Sequence, residues 1–506
     1  MLMAFSITKN VVRWCFVLLL IFGCLTLSLS CARKGGGAEK YGSEFDRDMA
    51  QQGTIYAGPW CGALHGDSAS LKAVILNTAT EVRLVFSKDE ALTSGKVVKP
   101  NGQDIVENYP HKIITFKLNG LTPNTRYYYA LEVDAAVAEG TFKTFPREGE
   151  QVSFRFALSS CSKKPYPTLF EKLIETEIDA ADDADKLLFF CHLGDFHYAN
   201  LGENPIRDRL NALNRALRKP GYRKLFQKLP VVYTWDDHDF LGNNTGGGYP
   251  DTRKYAKDAL KAYSALVPHY DFVNSDDGIY QEFTVGNVLF LLTDTRYNRT
   301  NKGHTVLGEK QKAWLQQKLI EGKERDLIVW ANSMPWIDRG GSPLKRLMKK
   351  IAGLFKREWK PDTWYGYRRE RDELAQFIKD NNITNLCMIS GDAHMLAIDS
   401  GSHSGYAQKD GNGGTGGFPV FHAAPICSSP RSKGGKYSKG RTGGTNGCGA
   451  EGNGIAVGKG QYGIFEISYQ GSQLHVRWTG RRVEADGQVK TLICHEFESP
   501  NTYSGF

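Results

Sequence analysis

PVVYTWDDHDFLGNN, residues 230–244, runs from an apolar, strand-like stretch directly into three acids, a histidine and two asparagines. Burying a polar group without a partner costs on the order of 2–7 kcal/mol, and a charge costs more. A chain that sets such groups at the end of buried backbone must therefore supply something that compensates them. The same arrangement recurs after Pro146. FRFALSS ends at Cys161 and is followed by a helical pattern over LFEKLIETEI; KLLFFCHLG ends at Asp195; NVLFLLTD leads to Arg296; DLIVWANS leads to Met334; NLCMISG leads to Asp392. Apolar runs alternating with helical segments predict an α/β (α+β layered) core. In open α/β sheets the functional groups collect beyond the carboxyl ends of the strands, which is where these polar residues stand.

Outward from this core, the 506 residues and 41% hydrophobic content suit two or three domains at roughly 100–200 residues each. Residues 53–148 read as a separate all-β domain, with short alternating strands in SLKAVILN, EVRLVFS, KIITFKLNG, TRYYYALEV and AEGTFKTF. LNGLTPNTRYYYALEV resembles the tyrosine-corner strand of fibronectin type III-like sandwiches. Residues 152–506 then form the second domain. Its Gly-, Ser- and Thr-rich region 401–463, in which PVFHAAPICSSP is embedded, reads as long exposed loops and holds no P-loop. YGIFEISYQGSQLHVRWTG reads as a hairpin around Gln-Gly that completes the sheet.

The first 31 residues differ in kind. Lys9 and Arg13 precede WCFVLLLIFGCLTLSL, which ends at Ser28-Leu29-Ser30-Cys31; this is the layout of an export signal. The small residues before Cys31 and Cys24 resemble a lipobox, and Cys31, followed by the flexible tether of residues 32–52, is the favoured lipidated residue. The expectation is an exported lipoprotein of the outer or cell membrane, periplasmic or extracellular. Three of the ten cysteines lie in the signal; the seven others are odd in number, so at least one mature thiol stays unpaired within the chain. The net charge of +9 is dispersed, with KRLMKK at 345–350 as its densest run, and nucleic-acid binding is not expected.

The polar strand ends are individually ordinary turns. Together, Cys161, Asp195 with Tyr198, Asp236-Asp237-His238, and Asp392 with His394 place many anionic groups at one sheet edge, where they repel unless cations lie between them. Thiolate, phenolate and imidazole suit a transition metal, Fe3+ in particular, and carboxylates with an asparagine carbonyl suit Ca2+ or another hard divalent ion. Asp195 could bridge both. Two ions about 3.5–4 Å apart clamp a phosphoryl group for in-line displacement.

These stretches resemble the PhoD-like alkaline phosphatases and phosphodiesterases of the metallophosphoesterase class. The matching segments, in family order, are SSC (159–161), HLGDFHY (192–198), TWDDHDFLGNN (234–244), TDTR (293–296), DTWYGYRRERDEL (362–374) and SGDAH (390–394). The resemblance implies a metallophosphoesterase-like core behind an amino-terminal sandwich. It implies hydrolysis of phosphomonoesters or phosphodiesters by a metal-activated hydroxide, with Fe3+ and Ca2+ as cofactors. Cys161, Asp195, Tyr198 and His394 then match iron positions, while Asp237 (or Asp236), Asp392 and one of Asn243 and Asn244 match calcium positions. His238 matches a catalytic histidine that contacts the phosphoryl oxygens or protonates the leaving group; Arg296 is carried with it as catalytic, although Arg296 and Trp364 both suit support of the site better than reaction. His192 and His197 read as packed histidines, and His422 as one that could face the pocket. The other reading is a catalytically inactive surface binding protein on the same scaffold. The selecting loops, among them the basic 336–361 segment, carry no readable substrate code.

Overall fold

The strand Val288–Leu292 shows how the layers are built. Side chains alternate in a strand, and here Val288, Phe290 and Leu292 enter one apolar core while Leu289 and Leu291 enter another. The second core is closed by Leu315 and Leu319 of the helix Gly308–Glu321 and by Leu374 and Ile378 of the helix Arg368–Asp380. The first core lies between two sheets. Phe156 stacks on Phe189 (4.9 Å) and Phe465 (5.0 Å), and Phe189 meets Phe290 of the facing sheet edge-on at 5.6 Å. Strands with both faces buried read as continuous apolar runs, which explains LLFFCHL and LIVWAN.

The computed structural model describes residues 54–104, 109–164, 166–180, 182, 186–300, 305–337, 362–406, 417–431, 437, 441–444, 447–451 and 454–500. The expected export signal, lipobox and tether, and nearly all of the 336–361 segment, lie outside the described residues. Among the described residues there are sheets of twelve, seven and four strands. In the largest, Phe154–Ser159, Leu187–Leu193 and Val231–Thr234 run parallel, with the antiparallel hairpin Gln461–Gln470/Gln473–Val483 alongside. In the second, Val288–Leu292, Leu327–Asn332, Leu386–Ser390 and Val420–His422 run parallel. No described helix is long and apolar enough to cross a membrane.

Two departures from the sequence expectations stand out. First, Ile55–Gly62 is a strand whose Gly and Pro content hid it; Gly62 pairs with Val231, so the amino-terminal strands Ile55–Gly62, Ser68–Leu76 and His111–Asn119 continue the large sheet. The chain from Thr54 to Phe506 forms one compact unit. The remaining amino-terminal strands form the four-stranded sheet, and Thr122 N–H donates to Tyr127 Oη at 2.9 Å, a contact of the tyrosine-corner kind. Second, Gly417–Ser428 within the supposed exposed loops is buried throughout and supplies the strand Val420–His422. In line with the odd count, five buried cysteines (Cys61, Cys161, Cys191, Cys387 and Cys427) are outside disulfides, whereas Cys494 is disulfide-bonded.

His111 stacks on Tyr56 at 3.9 Å, and neither of its ring nitrogens has a hydrogen-bond partner. Burial, helped by Arg218, lowers its pKa to about 4. The unfolded chain therefore binds a proton first as pH falls, and stability is lost from about pH 6.5 downward toward the folded value. His111→Phe keeps the ring and removes the titration. Its stability should match wild type at pH 7.5 and exceed it increasingly between pH 6.5 and 4, by at most about 1.4 kcal/mol per pH unit. Denaturant melts that stay parallel across this window would contradict the assignment.

Candidate metal centre

The strand ends reach the site through backbone that most residues avoid. Cys161, Asp195, Asp392 and His394 have φ of +63°, +58°, +53° and +55°, and Asn200 and Asn244 join them at +54° and +58°. Left-handed backbone at a residue other than glycine costs of the order of 1–3 kcal/mol and persists only where its surroundings enforce it. Cys161 N–H donates to Gly194 O (3.1 Å) and Ser162 N–H to Asp195 O (2.8 Å), tying the first two strand ends together. Glycine is required where they pass: a Cβ on Gly194 would lie 2.4 Å from Asp236 Cβ, and one on Gly391 would lie 2.3 Å from Leu193 O. Thus the Gly-Asp pairs of both motifs are a steric consequence of three strand ends converging.

Asp195 stands at the centre. Its donor atoms group with those of Cys161 and His394, of Asp237 and His238, and of Asp236 and Asp392, each set lying within 4.8 Å of one another. Tyr198 Oη donates to Asp195 Oδ2 at 2.7 Å. His394 Nδ1–H donates to Ser429 O at 2.6 Å, leaving Nε2 with the lone pair a ligand needs. Asp237 accepts from His238 N–H (2.8 Å) and Asn244 N–H (2.6 Å). His238 Nδ1 meets Asn200 Oδ1 at 2.6 Å, and its ring lies 4.3 Å from that of Tyr198.

The electrostatics show what the cluster lacks. Burial, then the neighbouring carboxylates Asp237, Asp236, Asp239 and Asp392, hold Asp195 well above the usual carboxylate range. Burial lifts Asp236 to about 8 despite Arg296 beside it, and lifts Asp239 to about 6 against three backbone N–H donors. Asp195 Oδ1 and Asp236 Oδ2 are buried without a hydrogen-bond partner. Unpartnered carboxylate oxygens beside a thiol, a phenol and an imidazole fit cations in this position, with a softer donor set on the Cys161 side and a carboxylate set on the other.

Each sequence-identified residue can now be placed. Cys161, Asp195, Tyr198, Asp236, Asp237, His238, Asp392 and His394 come together. Of the two asparagines, Asn243 is exposed, whereas Asn244 is half-buried and bonded to Asp237. Arg296 stands behind the cluster, paired with Asp236. It is fully buried behind Asp236, ion-paired to Oδ1 through Nη2 at 2.5 Å, with Nη1 on Asp362 at 2.9 Å, so it positions Asp236. Trp364 is buried, with Nε1 3.4 Å from Asn332 Oδ1. His192 pairs with Tyr222 at 2.9 Å, His197 packs near Asp239 at 3.9 Å, and His422 is buried against Tyr437.

The sequence reading missed several supports. Asp239 holds the 195–197 turn by accepting from Phe196 N–H (3.1 Å) and His197 N–H (2.8 Å), and closes a capping box with Asp236. The signal was present as an acid three residues after an aspartate that opens a helix. Asp294 accepts from Trp235 Nε1 at 2.8 Å and so joins the ends of the two sheets. Ser333 Oγ donates to Asp236 Oδ1 at 2.7 Å. Nothing local in the sequence marks Ser333.

Comparison with known proteins follows the same lines. The sequence profile of the PhoD-like phosphatases matches residues 156–478. Alkaline phosphatase D of Bacillus subtilis (strain 168) is 24% identical over 367 residues, covering 62% of this chain and 58% of that protein. The aligned part thus spans less than two thirds of the relative's length. A solved structure described as that of PhoD superposes with a TM-score of 0.66 at 20% identity, covering 88% of this chain and 91% of the other, a likeness of fold.

Proposed function

Because this chain belongs to the PhoD-like phosphatase family, we propose that it is a metal-dependent phosphoester hydrolase acting on phosphomonoesters, phosphodiesters or both. The convergence of seven donor residues on Asp195 carries the reading. Cys161, Asp195, Tyr198 and His394 would hold Fe3+, and Asp237 or Asp236, Asp392 and Asn244 would hold Ca2+, with Asp195 shared. Bound there, the cations supply positive charge that polarises water and the phosphoryl oxygens.

The chain's own residues do the rest. His238, oriented through Nδ1 by Asn200, lies beside Asp195 and Asp237, where its imidazole can give a proton to the leaving oxygen. Asp236 is held in place and aimed by Arg296 and Ser333. Asp239 fixes the turn that presents Asp195. The core is read as metallophosphoesterase-like and the amino-terminal strands as a fibronectin type III-like sandwich fused to it. Residues 1–31 are read as an export signal with lipidation at Cys31, which places the enzyme at a membrane surface outside the cytoplasm; Cys31→Ser should release it from the membrane fraction.

Purified protein should cleave bis-p-nitrophenyl phosphate or p-nitrophenyl phosphate at alkaline pH and lose that turnover on prolonged EDTA treatment. His238→Ala should lower kcat by roughly 10²–10⁴ while metal content stays at the wild-type level. Turnover that survives full chelation would reject the proposal.

A further inference from the structure

The segment Ile426–Arg431 crosses the softer side of the cluster and touches its members one after another. Ile426 N–H donates to Ser160 O (2.9 Å), Cys427 N–H to Cys161 O (3.2 Å), and Arg431 N–H to His394 O (3.1 Å). Ser429 O takes the Nδ1 proton of His394. Between them, Ser428 Oγ lies 3.1 Å from Tyr198 Oη and accepts from Lys163 N–H at 3.0 Å.

Ser428 is 1% exposed, so its hydroxyl proton has no bulk water to go to. Its oxygen accepts from Lys163 N–H, and its own proton is donated to Tyr198 Oη. Tyr198 Oη in turn directs its own proton at Asp195 Oδ2, the position a shared cation would replace. Once the phenol proton is gone, the Ser428 bond becomes charge-assisted and roughly doubles in strength. Lys163 adds a positive charge 5.6 Å from the centroid of the Tyr198 ring.

We propose that Ser428 is a positioning residue for the metal centre: its hydroxyl donates to the Tyr198 phenolate and sets how strongly that oxygen binds the transition metal. The inference rests on Tyr198 being a ligand, as proposed above. Hydrogen bonding stabilises electrons on the phenolate oxygen, so losing it makes the oxygen a better electron donor and lowers the energy of phenolate-to-iron charge transfer. The contacts of Ile426–Arg431 fall on Cys161, Tyr198 and His394, so the effect should be confined to iron.

The test is the visible spectrum and metal content of the intact, iron-loaded protein. Wild type should show a phenolate-to-iron band that Tyr198→Phe erases. In Ser428→Ala the band should move to longer wavelength, with calcium content unchanged. Ser428→Thr should restore the wild-type band. Ser428→Cys, a weak donor of similar size, should fall between, which keeps the test decisive if the alanine variant does not fold. A wild-type band unmoved in Ser428→Ala and Ser428→Cys overturns the role of Ser428 alone. Iron-loaded wild type without any such band overturns Tyr198 as a ligand, and the role of Ser428 with it.

Discussion

Asp195→Asn is expected to lower kcat/KM for bis-p-nitrophenyl phosphate by at least about 10³-fold, some 4 kcal/mol of transition-state stabilisation, and to remove both kinds of metal ion. Asp195 belongs to every donor group in the cluster, so no other single substitution touches as much of it. Asparagine keeps the side-chain shape and tolerates the left-handed backbone at φ +58°, which separates loss of charge from loss of fold. The variant also carries a thermodynamic signature. Burial and the four neighbouring carboxylates make an ionised Asp195 unfavourable when no cation offsets it. In EDTA the Asn variant should therefore be more stable than wild type, and in metal-replete buffer less stable. If the two proteins keep the same order of stability in both buffers, the carboxylate is not balanced by bound cations.

Arg296→Met should destabilise the protein by about 3–5 kcal/mol, the usual cost of removing one member of a buried ion pair and leaving the other uncompensated. Arg296 is wholly buried, places Nε 2.6 Å and Nη2 2.5 Å from Asp236 Oδ1, and reaches Asp362 with Nη1. Arg296→Lys should not restore stability, because a point charge cannot serve two carboxylates from the plane of a guanidinium. Asp236→Asn combined with Arg296→Met should recover part of the loss, since the stranded charge is then gone. Denaturant unfolding measures this. A loss below about 1 kcal/mol, as found for exposed pairs, would mean that Asp236 does not depend on Arg296 and that the arginine is available for substrate after all.

The two variants also mark what the linear sequence could disclose. The donors were legible because each follows a largely apolar run, and the alternation of those runs with helical segments already placed them in a layered sheet. The carboxyl ends of parallel strands share one edge, so seven ligand candidates and His238 came together as that logic requires. What the sequence withheld is of two kinds. Long-range partners such as Ser333 and Ser428 carry no local signature, because a lone serine looks the same on a loop as beneath a metal site. Segments whose composition misleads were also misplaced. Ile55–Gly62 is rich in Gly and Pro yet pairs within the large sheet, and Gly417–Ser428 lies in Gly-rich surroundings yet is buried. Arg296 shows a third limit: its place at a strand end is legible, but its buried partner Asp236 becomes visible only in the fold.

The central claim is that the groups around Asp195 hold cations which the folded chain needs for phosphoester hydrolysis. Elemental analysis of the purified wild-type protein, matched to its turnover of bis-p-nitrophenyl phosphate before and after exhaustive chelation, tests it most directly. More than one metal ion per chain, iron among them, with activity that disappears and returns as the ions do, is the predicted result. Full activity in protein stripped of metal would contradict it.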